Sequence, residues 1–200
     1  MTELFSEACE RNCGPIAEVL AQVLPASGSV WELGSGTGQH VVAFAQRFPR
    51  LSWQPTEREP HYLASTSARV ANARLANLSM PRPFDLFDAF GSGPATQVLV
   101  SINVLHIAPW EATARLFLHA TASLQGPDAR VVIYGPFDDA DVPLAPSNVA
   151  FDASLRARDP RMGLRRVQDV DACARDAGWV LAGEAMMPAN NRLRWWRRMD

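Results

Sequence analysis

A short apolar run, Val30 to Leu33 with Glu32 near its end, leads into glycines at three alternate positions, Gly34, Gly36 and Gly38. A helical pattern begins at Gln39. Strand, glycine turn and helix in that order restrict what the chain can build. Glycines take positive φ and carry no side chain, so backbone there can pass close to a nucleoside-bearing ligand at a helix N-terminus. The spacing is G-x-G-x-G. Dinucleotide folds carry G-x-G-x-x-G, and Gln39 stands where the third of those glycines would fall.

The rest of the chain alternates in the same way. Pro15 suits the first position of a helix over 16–24, whose apolar face is Ile16, Val19, Leu20 and Val23. Helix 39–48 follows the turn. Strand 51–56 is expected to stop near Pro55, which cannot donate to a ladder. A long Ala-rich helix runs from Glu59-Pro60 to Leu78. A weak third strand lies near 84–86, and a clear one at 97–102, entered from Gly91-Ser92-Gly93-Pro94. Helix 109–124 precedes strand 131–134, which Gly135-Pro136 should end. Residues 137–165 are rich in Asp, Pro and Arg without periodicity, and read as a lid or a disordered loop. Helix 167–177 is capped by Gly178. Two strands, 179–186 and 192–198, close the chain around Pro188-Ala189-Asn190-Asn191. The expected fold is α/β: a seven-stranded, mostly parallel sheet with an antiparallel C-terminal hairpin at one edge and helices on both faces. One domain over 1–200 is expected, with 1–14 as an N-terminal cover segment.

Composition narrows the classes. With 200 residues, 48% hydrophobic and 20% charged, the chain can bury one sizeable core. A net charge of −2 argues against a dedicated nucleic-acid binder. Every basic residue is Arg, so no lysine can act as base or nucleophile. Cys9, Cys13 and Cys173 are odd in number and follow no secretory signal, which suggests reduced thiols and a cytoplasmic location. No apolar run is long enough to span a bilayer. Cys9 and Cys13 share a helical face, but His40 and His61 do not complete a metal-ligand spacing, so no metal is expected.

The turn with Glu32 ahead of it resembles the first motif of class I S-adenosylmethionine (SAM)-dependent methyltransferases. A narrower resemblance runs along nearly the whole chain. Ser6-Glu7-Ala8-Cys9-Glu10-Arg11-Asn12-Cys13-Gly14-Pro15-Ile16 is similar to the N-terminal signature of the DUF938 family, known in animals as methyltransferase-like 26. Gly34-Ser35-Gly36-Thr37-Gly38-Gln39-His40 matches that family's turn. Trp53-Gln54-Pro55, Asn103 to Trp110, Tyr134 to Phe137, Ser147-Asn148, Phe151-Asp152, Leu155-Arg156, Asp159-Pro160 and Met187 to Asn191 resemble further family blocks. Met162 departs from the pattern, standing where Trp is usual, and Glu57 stands where Asp is common. The resemblance implies a Rossmann-like class I methyltransferase fold with SAM as cofactor and S-adenosylhomocysteine (SAH) as product. It implies no substrate.

On that frame the cofactor residues are Gly34, Ser35, Gly36, Thr37 and Gly38 in the turn, with acids beside it. Glu32 can accept from loop amides or from the cofactor's ammonium group, or face solvent. Glu57, 23 residues after Gly34 (57 − 34), stands at the distance at which a carboxylate reaches ribose hydroxyls. Glu59 competes but suits a helix dipole. Asp85 can accept from an adenine amino group while the Leu86 amide meets the ring, with Asp88 as rival. Asn103 can meet the cofactor's amino-acid part or the substrate. Arg11 and Asn12 can fold over the cofactor, Arg11 on its carboxylate, or Asn12 can cap the first helix.

Methyl transfer from a sulfonium needs an aligned nucleophile and a dry site; a base is needed only for a hydroxyl, thiol or protonated amine. His106, just past the fourth strand, is the best base, and Tyr134 is a second catalytic candidate. The alternative for His106 is a packed core histidine. Phe137, Asn148, Asp152, Arg156 and Asn191 are pocket candidates in or beside the 137–165 insertion. Arg156 suits an anionic acceptor, or simply pairs with Asp152 four residues away. Ser101-Ile102-Asn103-Val104 lacks the D/N-P-P-Y of enzymes that methylate planar amino groups, which weighs against that class. Arg192 to Arg198 mixes Arg with Trp and reads as a final strand rather than an RNA stripe. The leading function is a SAM-dependent methyltransferase acting on a small molecule. The alternative is a non-catalytic SAM- or SAH-binding partner protein. The oligomeric state is left open.

Overall fold

The computed structural model describes residues 3–89 and 93–199; Gly91 and Ser92 of the turn before the fourth strand lie outside them. Six helices and eight strands are described: α1 (Glu7–Val23), β1 (Gly28–Leu33), α2 (Gln39–Arg47), β2 (Leu51–Glu57), α3 (Pro60–Ala73), β3 (Arg82–Pro83), β4 (Val98–Ile102), α4 (Glu111–Ser123), β5 (Arg130–Asp138), α5 (Pro146–Arg158), β6 (Arg165–Arg166), α6 (Val167–Asp176), β7 (Trp179–Met187) and β8 (Asn191–Arg198). The sheet runs β3-β2-β1-β4-β5-β8-β7, with β6 paired to the far end of β5. Pairs from β3 to β5 are parallel, and β8 is antiparallel to both β5 and β7. Strand order reverses between β1 and β4, which opens a crevice beyond their carboxyl ends.

Alternation along the strands divides the core. Val30, Val98, Val100, Val132 and Leu193 pack with Ile16 and Leu20 of α1, Val41 and Phe44 of α2, and Val70 of α3. Trp31, Leu99, Val131, Ile133 and Trp196 pack with Leu116 and Phe117 of α4 and Val170 and Ala174 of α6. Both faces are therefore covered, as a parallel sheet requires. Within this core Trp31 Nε1 donates to Thr56 Oγ1 at 2.7 Å, and that hydroxyl donates to the Glu32 carbonyl at 3.0 Å.

At three prolines the expectation changes. Helix α1 starts at Glu7, not Ile16, and Pro15 lies inside it. Ser6 is its N-cap, accepting from the Cys9 amide at 3.3 Å, so Arg11 and Asn12 are helical and Asn12 caps nothing. Strand β2 continues through Pro55 to Glu57. Trp53 donates to Asn77 on the outer side, so by alternation Pro55 presents its missing N–H to that sparsely paired edge. There Gln54 Nε2 bridges the Pro55 and Met80 carbonyls at 3.0 and 2.9 Å. Strand β5 continues through Gly135-Pro136 to Asp138, because β4 has already ended opposite Tyr134.

The 137–165 insertion is ordered. It finishes β5, forms α5 and enters β6. Helix α5 buries only Asn148 and Leu155 fully, so it carries no apolar period to read. Helix α3 ends at Ala73, turned by Arg74 at φ 52, well short of Leu78. The third strand is two residues, Arg82–Pro83, just before the expected stretch. The closing hairpin is pinned by inward arginines. Arg192 pairs with Asp139 (2.8 Å) and Glu184 (3.0 Å), and Arg194 with Glu184 (2.6 Å) and Asp171 (3.0 Å).

Candidate active site

The carboxyl ends of β1, β2, β4 and β5 bring the glycine turn, Glu57, Asn103 and Tyr134 to one edge. Gly34, Gly36 and Gly38 all have left-handed backbone (φ 72, 55 and 79). A Cβ at Gly38 would lie 3.0 Å from the Thr66 Cα, so the turn packs closely on α3. A Cβ at Gly36 would meet nothing within 4 Å: the space in front of this residue is open. The turn is held from three sides. The Gly34 and Ser35 amides both donate to the Thr56 carbonyl at 3.0 Å. From α3, Thr66 Oγ1 donates to the Gly36 carbonyl (2.8 Å), and Ser65 Oγ and Arg69 Nε donate to the Thr37 carbonyl (3.2 and 3.0 Å). From the N-terminal segment, the Ser6 amide donates to Gln39 Oε1 (2.7 Å) and Gln39 Nε2 returns a bond to the Ser6 carbonyl (3.3 Å). Leu4 is tied to Ser65 Oγ at 2.8 Å. Sequence reasoning did not single out Ser65, Thr66 or Arg69. Their only signal was polar residues within a helical pattern.

The two acids divide their work in an order the sequence did not show. Glu57 Oε2 accepts from the Gly36 amide at 2.8 Å, and its Oε1 from the Arg58 and Glu59 amides at 2.8 and 3.0 Å. With three of about four acceptor positions occupied, Glu57 retains room for about one further donor. Glu32 is almost wholly buried, and among the described residues neither its Oε2 nor the neighbouring buried Ser35 Oγ has a partner within hydrogen-bond geometry. Burial pushes the Glu32 carboxyl up to about 8; the Ser35 hydroxyl opposes this and the Glu57 charge adds to it. A buried acid with an orphaned oxygen just before a glycine turn is suited to a cationic donor from a ligand.

Around these lie the other candidates. Asp85 is partly exposed, accepts from the Phe87 amide at 2.9 Å and meets Arg58 at 3.4 Å. Leu86 is buried, and its carbonyl accepts from Arg115 Nε (2.5 Å) and contacts His119 Nε2 (2.9 Å). Asn103 has φ 59, and its Oδ1 lies 3.6 Å from where a Gly135 Cβ would stand, next to His106 Nδ1 at 3.5 Å. Arg11 is exposed and pairs with Glu7 at 3.7 Å. Thr37 Oγ1 donates to Gln39 Oε1 at 2.9 Å.

His106 sits in a 3-10 turn, Leu105–Ile107, and is buried. Burial, then the charges of Arg165 and Arg158, hold its imidazolium down to about 4, so the ring is neutral at pH 7. Phe151 of α5 meets it edge-on, ring centroids 5.4 Å apart. Tyr134 is buried, and burial pushes its phenol up to about 12, so it stays protonated. Phe137 belongs to the core under Arg194 rather than to an open wall. Asn148 Nδ2 donates to the Asn190 carbonyl (3.2 Å), and Asn191 Nδ2 to the Pro188 carbonyl (2.9 Å). Asp152 accepts from Arg156 Nε and from the Leu164 amide, both at 2.7 Å, so Arg156 takes the paired alternative. Cys13 is pushed up to about 11, chiefly by burial, and remains a thiol. Among the described residues no cluster of three or more His, Cys, Asp or Glu is arranged to hold a metal ion. Nor is any described helix long and apolar enough to cross a membrane.

A sheet in this order, with helices on both faces, an antiparallel final pair and a glycine turn after its first strand, is the Rossmann-like fold of class I methyltransferases. Solved structures bear this out. The mitomycin 7-O-methyltransferase MmcR matches with a TM-score of 0.78 at 20% identity, over 91% of this chain and 52% of that one. An O-methyltransferase family protein from Burkholderia thailandensis matches at 0.81 and 18%, over 97% and 58%. CalO1, a methyltransferase of calicheamicin biosynthesis in its SAH-bound form, matches at 0.73 and 17%, over 92% and 54%. The chain spans little more than half the length of these structures. It belongs to the family described as Protein of unknown function (DUF938), whose profile matches residues 3–198.

Proposed function

We propose that this chain is a SAM-dependent methyltransferase acting on a small-molecule acceptor, with SAH as its product. The observation that carries the reading is Glu32: a buried acid with an unpaired oxygen, two residues before a turn whose middle glycine opens onto free space. Relatives by fold are methyltransferases, and one of them is an SAH-bound form. Kinship with the animal methyltransferase-like 26 proteins and a cytoplasmic location belong to the same reading, as do a cover role for residues 1–14 and a lid role for 137–165.

When bound, the cofactor supplies a methyl group on a positively charged sulfur. Glu32 receives its ammonium group, and the Gly34 to Gly38 backbone admits the adenosyl part. Glu57 holds the turn through the Gly36 amide and takes one ribose hydroxyl with its remaining acceptor position. Asp85 and Leu86 border the adenine, and Asn103 the amino-acid end. His106 removes a proton from the acceptor's hydroxyl, and Phe151 and α5 exclude water from that side. Tyr134, Asn148 and Asn191 shape the pocket floor.

Calorimetric titration of purified protein with SAM, SAH and NAD tests this. Saturable SAM and SAH binding with none for NAD is the expected result; NAD binding without SAM binding overturns it. A metabolite screen with methyl-labelled SAM then identifies the acceptor.

A further inference from the structure

The segment that covers His106 carries five aspartates and five arginines over residues 137–166, but not every arginine is paired. Arg156 pairs with Asp152, Arg161 with Asp159, Arg166 with Asp138, and Asp139 with Arg192. Two cations remain without a carboxylate within ion-pair distance among the described residues, Arg158 and Arg165. Both act on His106 electrostatically. Arg165 is buried. Its Nε donates to the Leu105 carbonyl at 3.0 Å, its Nη2 donates to the Ala108 and Arg161 carbonyls, and its guanidinium lies over the Trp110 ring. Carbonyls satisfy its donors but do not cancel its charge. Glu111 and Asp152 act on Arg165 from a distance, and Asp152 is already occupied by Arg156 and the Leu164 amide. Arg158 is exposed, and its side chain has no hydrogen-bond partner among the described residues. It shares a face of α5 with Leu155, which is fully buried, and with Phe151, which meets His106 (spacing i, i+4, i+7).

The walls beside this positive field are apolar. Ile107, Trp110 and Phe151 are exposed large side chains on the 3-10 turn, the start of α4 and α5. A planar guanidinium with its fork free binds a carboxylate bidentately. We infer that the methyl acceptor is a molecule with an apolar or aromatic body and a carboxylate, its carboxylate held by Arg158 in the field of Arg165 and its body against Phe151 beside His106. This rests on the proposed role of His106 at the acceptor, and it names the substrate class that the site admits. The pairing of Arg156 with Asp152 moves this role from Arg156, the residue the sequence offered, to Arg158.

The test uses benzoate and its neutral counterpart benzamide as probes. The chain has four histidines, so ring resonances of His-labelled protein can be followed at pH 7 with SAH present, with His106 assigned from a His106→Gln variant. Benzoate is expected to shift the His106 resonances saturably. Benzamide should bind about tenfold more weakly or worse, and Arg158→Gln should weaken benzoate by a similar factor with the resonances of His40 and His119 unchanged. Equal binding of benzamide, an Arg158→Gln variant with wild-type benzoate affinity, or no response of His106 to either probe overturns the inference. SAM titration of the same samples is read separately: lost SAM binding refutes the methyltransferase reading and leaves the anion result standing.

Discussion

The Glu57 carboxylate accepts a 2.8 Å hydrogen bond from the Gly36 amide, so the acid that ends β2 fixes the middle glycine of the turn that ends β1. Its other oxygen takes the Arg58 and Glu59 amides, and three charge-assisted bonds converge on one side chain. Removing it leaves three amides to find other partners. Glu57→Ala is therefore expected to cost about 1–3 kcal/mol of stability and at least about tenfold in SAM affinity. Glu57→Gln, which keeps one acceptor oxygen, should fall between. Thermal unfolding and calorimetry check both, and an alanine variant with full affinity would show that the turn holds itself.

Glu32 should work against the stability of the free protein. Its folded value of about 8 stands above the ordinary 4.5. Between those values the folded state binds more protons than the unfolded one, so stability falls as pH rises from about 4.5 to 8. Glu32→Gln removes this dependence. At pH 8 the variant is expected to be more stable than wild type by up to roughly 1.4 kcal/mol for each unit of displacement relieved, while SAM affinity drops. Wild-type SAM binding should release a proton at pH 7, seen as a buffer-dependent calorimetric enthalpy. A Gln variant that is both less stable and fully competent would remove Glu32 from the site.

Gly36 separates a steric effect from a folding effect. Alanine and valine both carry a cost at φ 55, about 1–3 kcal/mol for the branched residue. Neither meets a protein atom at its Cβ, so both variants should fold. Gly36→Val is expected to abolish SAM binding and Gly36→Ala to weaken it. Retained affinity in the folded valine variant would place the ligand elsewhere.

For His106 the pH profile is diagnostic. A base with an ordinary imidazole pKa of 6.5 would lose activity through mildly acidic solution. Held at about 4, His106 should keep acceptor turnover flat from pH 7.5 to 5.5 and lose it only near pH 4. His106→Ala should leave SAM affinity unchanged and lower turnover of a hydroxyl acceptor by about 10²–10⁴. An acid limb centred near 6.5, or an unaffected turnover, would assign the proton to another group.

Legibility followed the physics of each segment. The glycine turn, the alternating order and the closing hairpin were readable because local backbone demands and two-sided burial write themselves into residue type. Prolines misled where their nitrogens meet no ladder. Pro55 and Pro136 lie within strands at points where the neighbouring strand is sparse or finished, and Pro15 lies within α1. Helix α5 was invisible because its inward residues are Asn148, Asp152 and Leu155, which make no apolar stripe. The sequence marked both Glu32 and Glu57 but gave no direction for either side chain. Only geometry shows that Glu57 grips the turn while Glu32 keeps an unpaired oxygen.

Arg165 reaches across 60 residues of sequence to the Leu105 carbonyl, while the Gly163 amide bonds the His106 carbonyl at 2.9 Å. The 3-10 turn bearing His106 and the stretch returning from α5 are thus riveted to each other. Exchange of either stretch between relatives would then have to transplant both together. Replacing 146–166 by a stretch with no arginine at position 165 would leave the histidine turn without its brace, so the two stretches should vary as one module.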